Sequence, residues 1–459
     1  MAHHMSTALT EGPIGKRLIW FALPVLMGNV LQSLNGTINA IWVGNYLGES
    51  AFAATSNANN IMFFLLSLVF GLGMAATILI AQSVGAKDER QTKRVVGTSA
   101  LFFIGIAIVI TVLGLFLSPY ILQGMHTPPD SLGYATSYLR IIFIGLPFMY
   151  GYNVLMMVMR GAGDAKTPFY FLLISTALDI ALNPLLIFGL GPVPAFGIAG
   201  SAMAMVIAQF VSLSCLIAYL YMRKHFLRLT RAELHYVRFD PQIIGALVKK
   251  GLPMGVQMLI VSTSALAIIN LVNSFGSVAT AAFGAAMQLS SYIQMPAMAI
   301  GGAVSTVAAQ NVGAGNWDRV HKTTIIGIMI NFIMTGLLVG LIYLFNREAL
   351  SLFLQEQEAI EIGMRINSIT LWAFILFGVT FVVSGVVRAT GAVMVPLLTT
   401  FLALWCVRIP LSYYLGAEYG LDAIWWSFPI GFSIGIVLSI CYYVWGNWRE
   451  AKMMESKSA

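Results

Sequence analysis

Apolar stretches long enough to cross a lipid bilayer recur along this 459-residue chain. A membrane-spanning helix needs about 20 predominantly apolar residues, and polar or turn-rich breaks divide the sequence into twelve such stretches. The predicted spans run approximately over 18–43, 51–81, 95–117, 134–159, 169–190, 197–222, 243–275, 279–309, 323–345, 362–387, 395–415 and 423–445. Because the runs are long and continuous rather than short and alternating, they predict helices and not an outer-membrane barrel.

The composition excludes a soluble or disordered chain. Hydrophobic residues make up 58% of the sequence and charged residues 9%, whereas soluble domains carry roughly 25% charged residues. Disorder requires low hydrophobicity and high net charge, and the mean hydropathy here is +0.84. The predicted fold class is therefore an all-α membrane protein with twelve transmembrane helices.

The distribution of Lys and Arg predicts the orientation. An even number of spans places both termini on one side, and all but four of the 25 basic residues fall on that side. The exceptions are Arg140, Arg347, Arg365 and Arg408. Cytoplasmic loops are enriched in Lys and Arg, so we expect a multi-pass protein of the cell inner (cytoplasmic) membrane with both termini in the cytoplasm. The basic segment 223–238 is interpreted as a cytoplasmic loop rather than a nucleic-acid-binding patch, and no nucleic-acid partner is expected.

The two halves of the chain repeat one another at a nearly constant distance. Pro24 recurs as Pro253, the segment 81–86 (AQSVGA) as 309–314 (AQNVGA), and Arg160 with Pro168 as Arg388 with Pro396. Because each half holds six spans, equivalent helices cross in the same direction, as in parallel repeats. This pattern predicts two six-helix bundles, the arrangement used by secondary transporters that work by alternating access.

The repeat also suggests segment boundaries. We expect a cytoplasmic N-terminal segment over 1–17, a first lobe over 18–222, a basic linker over 223–242, a second lobe over 243–446 and a cytoplasmic tail over 447–459. The opening Met-Ala-His-His-Met is typical of a cloning remnant, so His3 and His4 are excluded from metal-site reasoning.

The sequence lacks the motifs of an ATP-driven or catalytic protein. The string 161–167 (GAGDAKT) has neither the spacing nor the Gly-Lys-Ser/Thr ending of a phosphate-binding loop. The histidines form no metal-ligand pattern and no catalytic triad is suggested. We therefore expect no enzyme activity, no catalytic or metal site and no cofactor other than a coupling ion.

One carboxylate stands out, because Asp179 is the only one near the middle of a predicted span. Ionisable residues inside a membrane are costly and are functional candidates by default. Asn183 follows one helical turn later on the same face, and Pro184 frees a backbone carbonyl near Ile180. The alternative is that Asp179 only fixes bundle packing through hydrogen bonds.

Other polar side chains in the first half could surround Asp179. They are Asn35, Thr37, Asn39, Asn153 and Ser201. Each alone is more often a hydrogen bond between helices than a ligand. Arg408, which is deep for a cation, is expected to extend outward toward Asp422 or Glu418.

Taken together, the twelve spans, the AQSVGA break, MRGAGDAKTP after span four and LNPLLIFGLG in span five resemble the multidrug and toxic compound extrusion (MATE) family, of the DinF-like prokaryotic type. The resemblance covers essentially the whole chain. It implies an antiporter that exports organic, often cationic, compounds in exchange for H⁺ or Na⁺.

The resemblance also implies a polar network for ion coupling. Carried over by motif, it comprises Asn39, Asn153, Asp179, Asn183 and Ser201. This sequence departs from the family at Asn39, where related members carry Asp, and it lacks the acidic residues of NorM-like members in spans seven and ten. Coupling is therefore expected in the first lobe.

The coupling ion stays open between H⁺ and Na⁺. A lone buried carboxylate can exchange a proton for a substrate cation, which favours H⁺, whereas Na⁺ needs several oxygen ligands, such as those of Asp179, Asn183, Asn39 and Thr37. Alternative functions are a lipid-linked saccharide flippase of the same superfamily and, in a different class, a membrane-embedded enzyme. We expect a monomer whose partners are small organic cations or drugs and the lipid bilayer.

Overall fold

The computed structural model of the chain describes residues 9–47, 49–124, 129–189 and 194–454. The predicted cloning remnant and the last five residues of the tail lie outside this part. The helices that it contains are α1 (Ile14–Leu47), α2 (Glu49–Gly85), α3 (Glu89–Gly124), α4 (Pro129–Gly161), α5 (Lys166–Phe188), α6 (Ile198–Met222), α7 (Pro241–Asn273), α8 (Ser277–Gly313), α9 (Trp317–Leu344), α10 (Asn346–Ser351), α11 (Gln357–Thr370), α12 (Ala373–Thr390), α13 (Met394–Phe401), α14 (Ile409–Tyr419), α15 (Leu421–Ile424) and α16 (Ser427–Trp445).

The predicted all-helical membrane fold is confirmed. Within the described residues, eleven helical segments are long and apolar enough to cross a membrane. The 37-residue helix α8 lies at the place of the predicted eighth span. Span ten is broken between α11 and α12, and span eleven consists of α13, a π-helix over Leu402–Arg408 and α14.

The chain divides into two compact units. The first comprises 27–248 together with the extreme N-terminus, and the second comprises 7–26 and 249–459. The division falls inside α1, close to Pro24. In the second unit the amide of Asn311 donates to the carbonyl of Leu9 (3.3 Å), and Arg319 donates to the carbonyl of Gly12 (2.8 Å). These bonds attach the start of the chain to the second unit, which the repeat did not predict.

The two units repeat the same order of helix packing. In the first, α4 packs on α2, α3 and α6, and α5 packs on α6. In the second, α12 packs on α8, α9 and α16, and the π-helix packs on α16. Small residues allow close approach in both: a Cβ on Gly161 would lie 2.5 Å from the carbonyl oxygen of Thr77, and one on Gly385 would lie 3.0 Å from that of Gly301. The internal repeat is therefore structural as well as sequential.

The segment after α6 is fastened to α3 by two ion pairs. It forms a short 3₁₀ helix over Arg231–Tyr236. The ammonium of Lys93 lies 3.1 Å from Glu233, and the guanidinium of Arg94 lies 2.5 Å from Asp240. Burial opposes the ionisation of Asp240, but the hydrogen bond and charge of Arg94 outweigh it, so the pKa of Asp240 lies below its ordinary value. The pKa of Glu233 is also lowered, since hydrogen bonds from Thr230 and Lys93 outweigh its burial.

Removing the charge of Asp240 should release this segment. Asp240→Asn leaves Arg94 without its carboxylate, at a cost of about 1–3 kcal/mol, so trypsin should cleave at Arg228, Arg231 or Arg238 several-fold faster than in the wild type. Limited proteolysis followed by mass spectrometry measures this rate. Asp318→Asn, at an exposed carboxylate of α9, is the matched control and should leave the rate unchanged.

The same ion pairs predict a pH dependence. A carboxylate whose pKa is lowered by folding stabilises the folded state above its unfolded pKa of about 4, and this contribution is lost as the pH falls through the lowered value. Hydrogen exchange at 231–236 should therefore keep its protection from pH 7 down to about 4 and lose it only below. Loss of protection between pH 7 and 5 would contradict this assignment.

Candidate functional site

Asp179 lies at the centre of a polar cluster in the first unit. Its side chain, on α5, is 3% exposed. Two amides of α1 donate to the same carboxylate oxygen, Oδ2: Asn35 Nδ2 at 2.8 Å and Asn39 Nδ2 at 2.9 Å. Because the two asparagines are four residues apart, they lie on one face of α1, and this face meets α5.

Asn183 completes the cluster from the next turn of α5. Its Nδ2 lies within hydrogen-bond distance of Asp179 Oδ1 (3.1 Å), the Asp179 carbonyl (3.0 Å) and Asn39 Oδ1 (3.0 Å). Asn39 and Asn183 therefore bond to each other as well as to the carboxylate. All three amides turn their donors inward, which is the arrangement that stabilises a negative charge at Asp179.

Packing between α1 and α5 holds this geometry on both sides. A Cβ on Gly28 would lie 3.2 Å from the Leu172 side chain, so the helices approach closely there. Further along, the rings of Trp42 and Phe188 meet edge to face with centroids 6.0 Å apart. The polar cluster lies between these two contacts along the helices.

The cluster has more oxygen acceptors than donors. Asn35 Oδ1 and Asn183 Oδ1 are buried and accept no hydrogen bond from the described residues. A buried acceptor without a partner is costly, and two of them beside a carboxylate form the donor set of a small cation. Within the described part of the chain, no group of three His, Cys, Asp or Glu side chains is placed to hold a metal.

Three predicted site residues make no hydrogen bond to this cluster within the described residues. Thr37 donates to the carbonyl of Ser33 in its own helix, and Asn153 donates to the carbonyl of Met149 in its own helix. Ser201 is buried near the start of α6. The structure thus brings together Asn39, Asp179 and Asn183, and adds Asn35.

Tyr138 of α4 was not predicted. It is buried, and the charge of Asp179 acts on its hydroxyl. The sequence offered only a weak signal, since tyrosine near a helix end is common at membrane interfaces. Its proximity to Asp179 depends on the packing of α4, which spacing along the chain does not reveal.

The expectation that Arg408 extends toward Asp422 or Glu418 is wrong. Arg408 is 5% exposed and donates from Nη2 to Ser264 Oγ at 2.9 Å. Arg365 takes the predicted place, with its Nε 3.2 Å from Asp422 Oδ1. A guanidinium that donates to a hydroxyl and lies against aromatic rings can stay buried, so it need not reach water.

The profile of the MatE family matches the chain twice, over residues 24–185 and 253–414. The probable multidrug resistance protein YoeA of Bacillus subtilis is 40% identical over 439 residues, covering 95% of each chain. The probable multidrug resistance protein YpnP of the same organism is 31% identical over 449 residues, covering 98% of this chain and 99% of the other.

A solved structure described as the outward-facing conformation of a multidrug resistance MATE family transporter superposes with a TM-score of 0.88. It is 21% identical and covers 98% of each chain, so it supports the fold. MATE proteins are transporters rather than enzymes. With two family matches over its two repeats, this chain belongs to the MATE (MatE) family of multi-pass membrane transporters.

Proposed function

We propose that this protein is a secondary multidrug efflux antiporter that exchanges organic, often cationic, compounds for H⁺ by alternating access. The observation that carries the proposal is the buried carboxylate of Asp179, held by three amides. It works as a monomer in the cytoplasmic membrane with both termini inside, as the distribution of basic residues suggests. The names of the relatives as probable multidrug resistance proteins support drugs as the substrate class.

A single buried charge is enough to couple two ligands. In a medium of low dielectric, the free carboxylate of Asp179 is costly unless a cation compensates it. A proton or a cationic substrate each provides that compensation, and the two compete. Export then follows when the protein releases the substrate outside and carries the proton inward.

Na⁺ is a second candidate coupling ion. The specific observation in its favour is the pair of unpartnered amide oxygens, Asn35 Oδ1 and Asn183 Oδ1, beside the Asp179 carboxylate. Hard cations bind several oxygen ligands, and this cluster offers at least three. A proton needs only one of them.

Removing the charge of Asp179 should uncouple transport. Asp179→Asn keeps the size of the side chain, so the protein should insert and fold, but export of a cationic dye driven by an ion gradient should fall at least tenfold. The measurement uses proteoliposomes with an imposed pH gradient, an imposed Na⁺ gradient, or both. Asp422→Asn, at an exposed carboxylate, is the matched control. Wild-type export by Asp179→Asn would refute the coupling role, and the gradient that drives the wild type identifies the ion.

A second carboxylate at Asn39 should strengthen cation binding. Because Asn39 Nδ2 lies 2.9 Å from Asp179 Oδ2, Asn39→Asp places two negative charges in contact, and a cation between them relieves the repulsion. We expect ²²Na⁺ to bind purified Asn39→Asp at least tenfold more tightly than it binds the wild type. Asn153→Asp is the matched control, since Asn153 bonds only within its own helix. Equal affinities of the two variants would contradict the geometry.

A further inference from the structure

The second unit carries an arginine at the position that repeats Asp179. The two family matches begin at Pro24 and Pro253 and end at 185 and 414, so the halves correspond at a distance of 229 residues at both ends. At this distance Asn35 corresponds to Ser264, Asp179 to Arg408 and Asn183 to Ser412. A carboxylate in one half is therefore replaced by a guanidinium in the other.

The hydrogen bonds repeat along with the positions. Asn35 bonds to Asp179 and Arg408 bonds to Ser264, and each bond joins residues 144 apart. In the following turn, the Asn183 amide donates to the carbonyl of Asp179, and Ser412 Oγ donates to the carbonyl of Arg408. The bonding pattern is retained, although the central charge has changed sign.

The π-helix accounts for the register of this correspondence. Pro168 and Pro396 are 228 residues apart, whereas Asp179 and Arg408 are 229 apart. The additional residue lies between Pro396 and Arg408, where the π-helix Leu402–Arg408 is found. A π-bulge accommodates one inserted residue and is frequent at functional sites. It restores Arg408 to the face on which Asp179 lies in the first unit.

The guanidinium of Arg408 is buried with donors to spare. It lies over the rings of Phe428 and Phe432, at 4.6 and 5.9 Å from their centroids. Gly431 makes room for its stem, since a Cβ there would lie 3.1 Å from Arg408 Cβ. Nε is buried and donates to nothing in the described residues, and no described Asp or Glu forms an ion pair with the group.

We propose that the second unit holds an anion site at Arg408, which binds a monovalent anionic group, either a halide ion or a carboxylate. The first unit offers spare oxygens around a negative charge and thus suits a cation. The second offers spare N–H groups around a positive charge and suits an anion, because a guanidinium fork binds such groups through charge-assisted hydrogen bonds. The proposal does not depend on ion coupling through Asp179.

Thermal unfolding of the purified full-length protein in detergent tests this site. Sodium chloride, sodium acetate and sodium gluconate are compared at equal sodium concentration, gluconate being too large for a buried site. For the wild type, chloride, acetate or both should raise the melting temperature in a saturable way relative to gluconate. Stabilisation by chloride alone indicates a halide, and by acetate alone a carboxylate of a bound compound.

Arg408→Gln should abolish the anion dependence, and Arg408→Lys should weaken the apparent affinity about tenfold, since an ammonium keeps the charge but loses the fork. Arg408→Lys also keeps the test decisive if the Gln variant does not fold. Arg365→Gln, at an exposed arginine, is the matched control and should keep the wild-type response. An identical response in wild type and Arg408→Lys, or equal melting of the wild type in all three salts, would overturn the proposal.

Discussion

The burial of one carboxylate, Asp179, is the interaction on which the account depends. Leaving a charge unpaired inside a membrane costs several kcal/mol or more, and three amide donors from α1 and α5 offset part of that cost. The bonds are made only if α1 and α5 keep their close packing. The cluster therefore links the helix packing of the first unit to the charge state of a single side chain.

The two units show how one scaffold can carry opposite chemistry. Their helices pack in the same order, and hydrogen bonds join corresponding positions of α1 with α5 and of α7 with the π-helix. The polar partners differ, because amides around Asp179 can accept a cation, whereas a hydroxyl and two rings around Arg408 cannot. Duplication preserved the backbone frame, and substitution at single positions changed the charge that it holds.

Much of the fold could be predicted from the sequence, because hydropathy and charge distribution report directly on a bilayer. The repeat was visible in short polar motifs, and the face shared by Asp179 and Asn183 follows from helical spacing. Partners on other helices were harder to predict. Asn39 was found by resemblance, whereas Thr37 and Asn153 bond within their own helices. The burial of Arg408 depends on two aromatic rings of α16 that no spacing rule connects to it.

The central claim is that one charge at Asp179 is shared between proton and drug. The most direct measurement is the release of protons when a cationic dye is added to the purified protein in weakly buffered, Na⁺-free solution. The account predicts a pH-dependent release of up to about one proton per bound dye from the wild type, and none from Asp179→Asn. Equal proton release from the two proteins would contradict it.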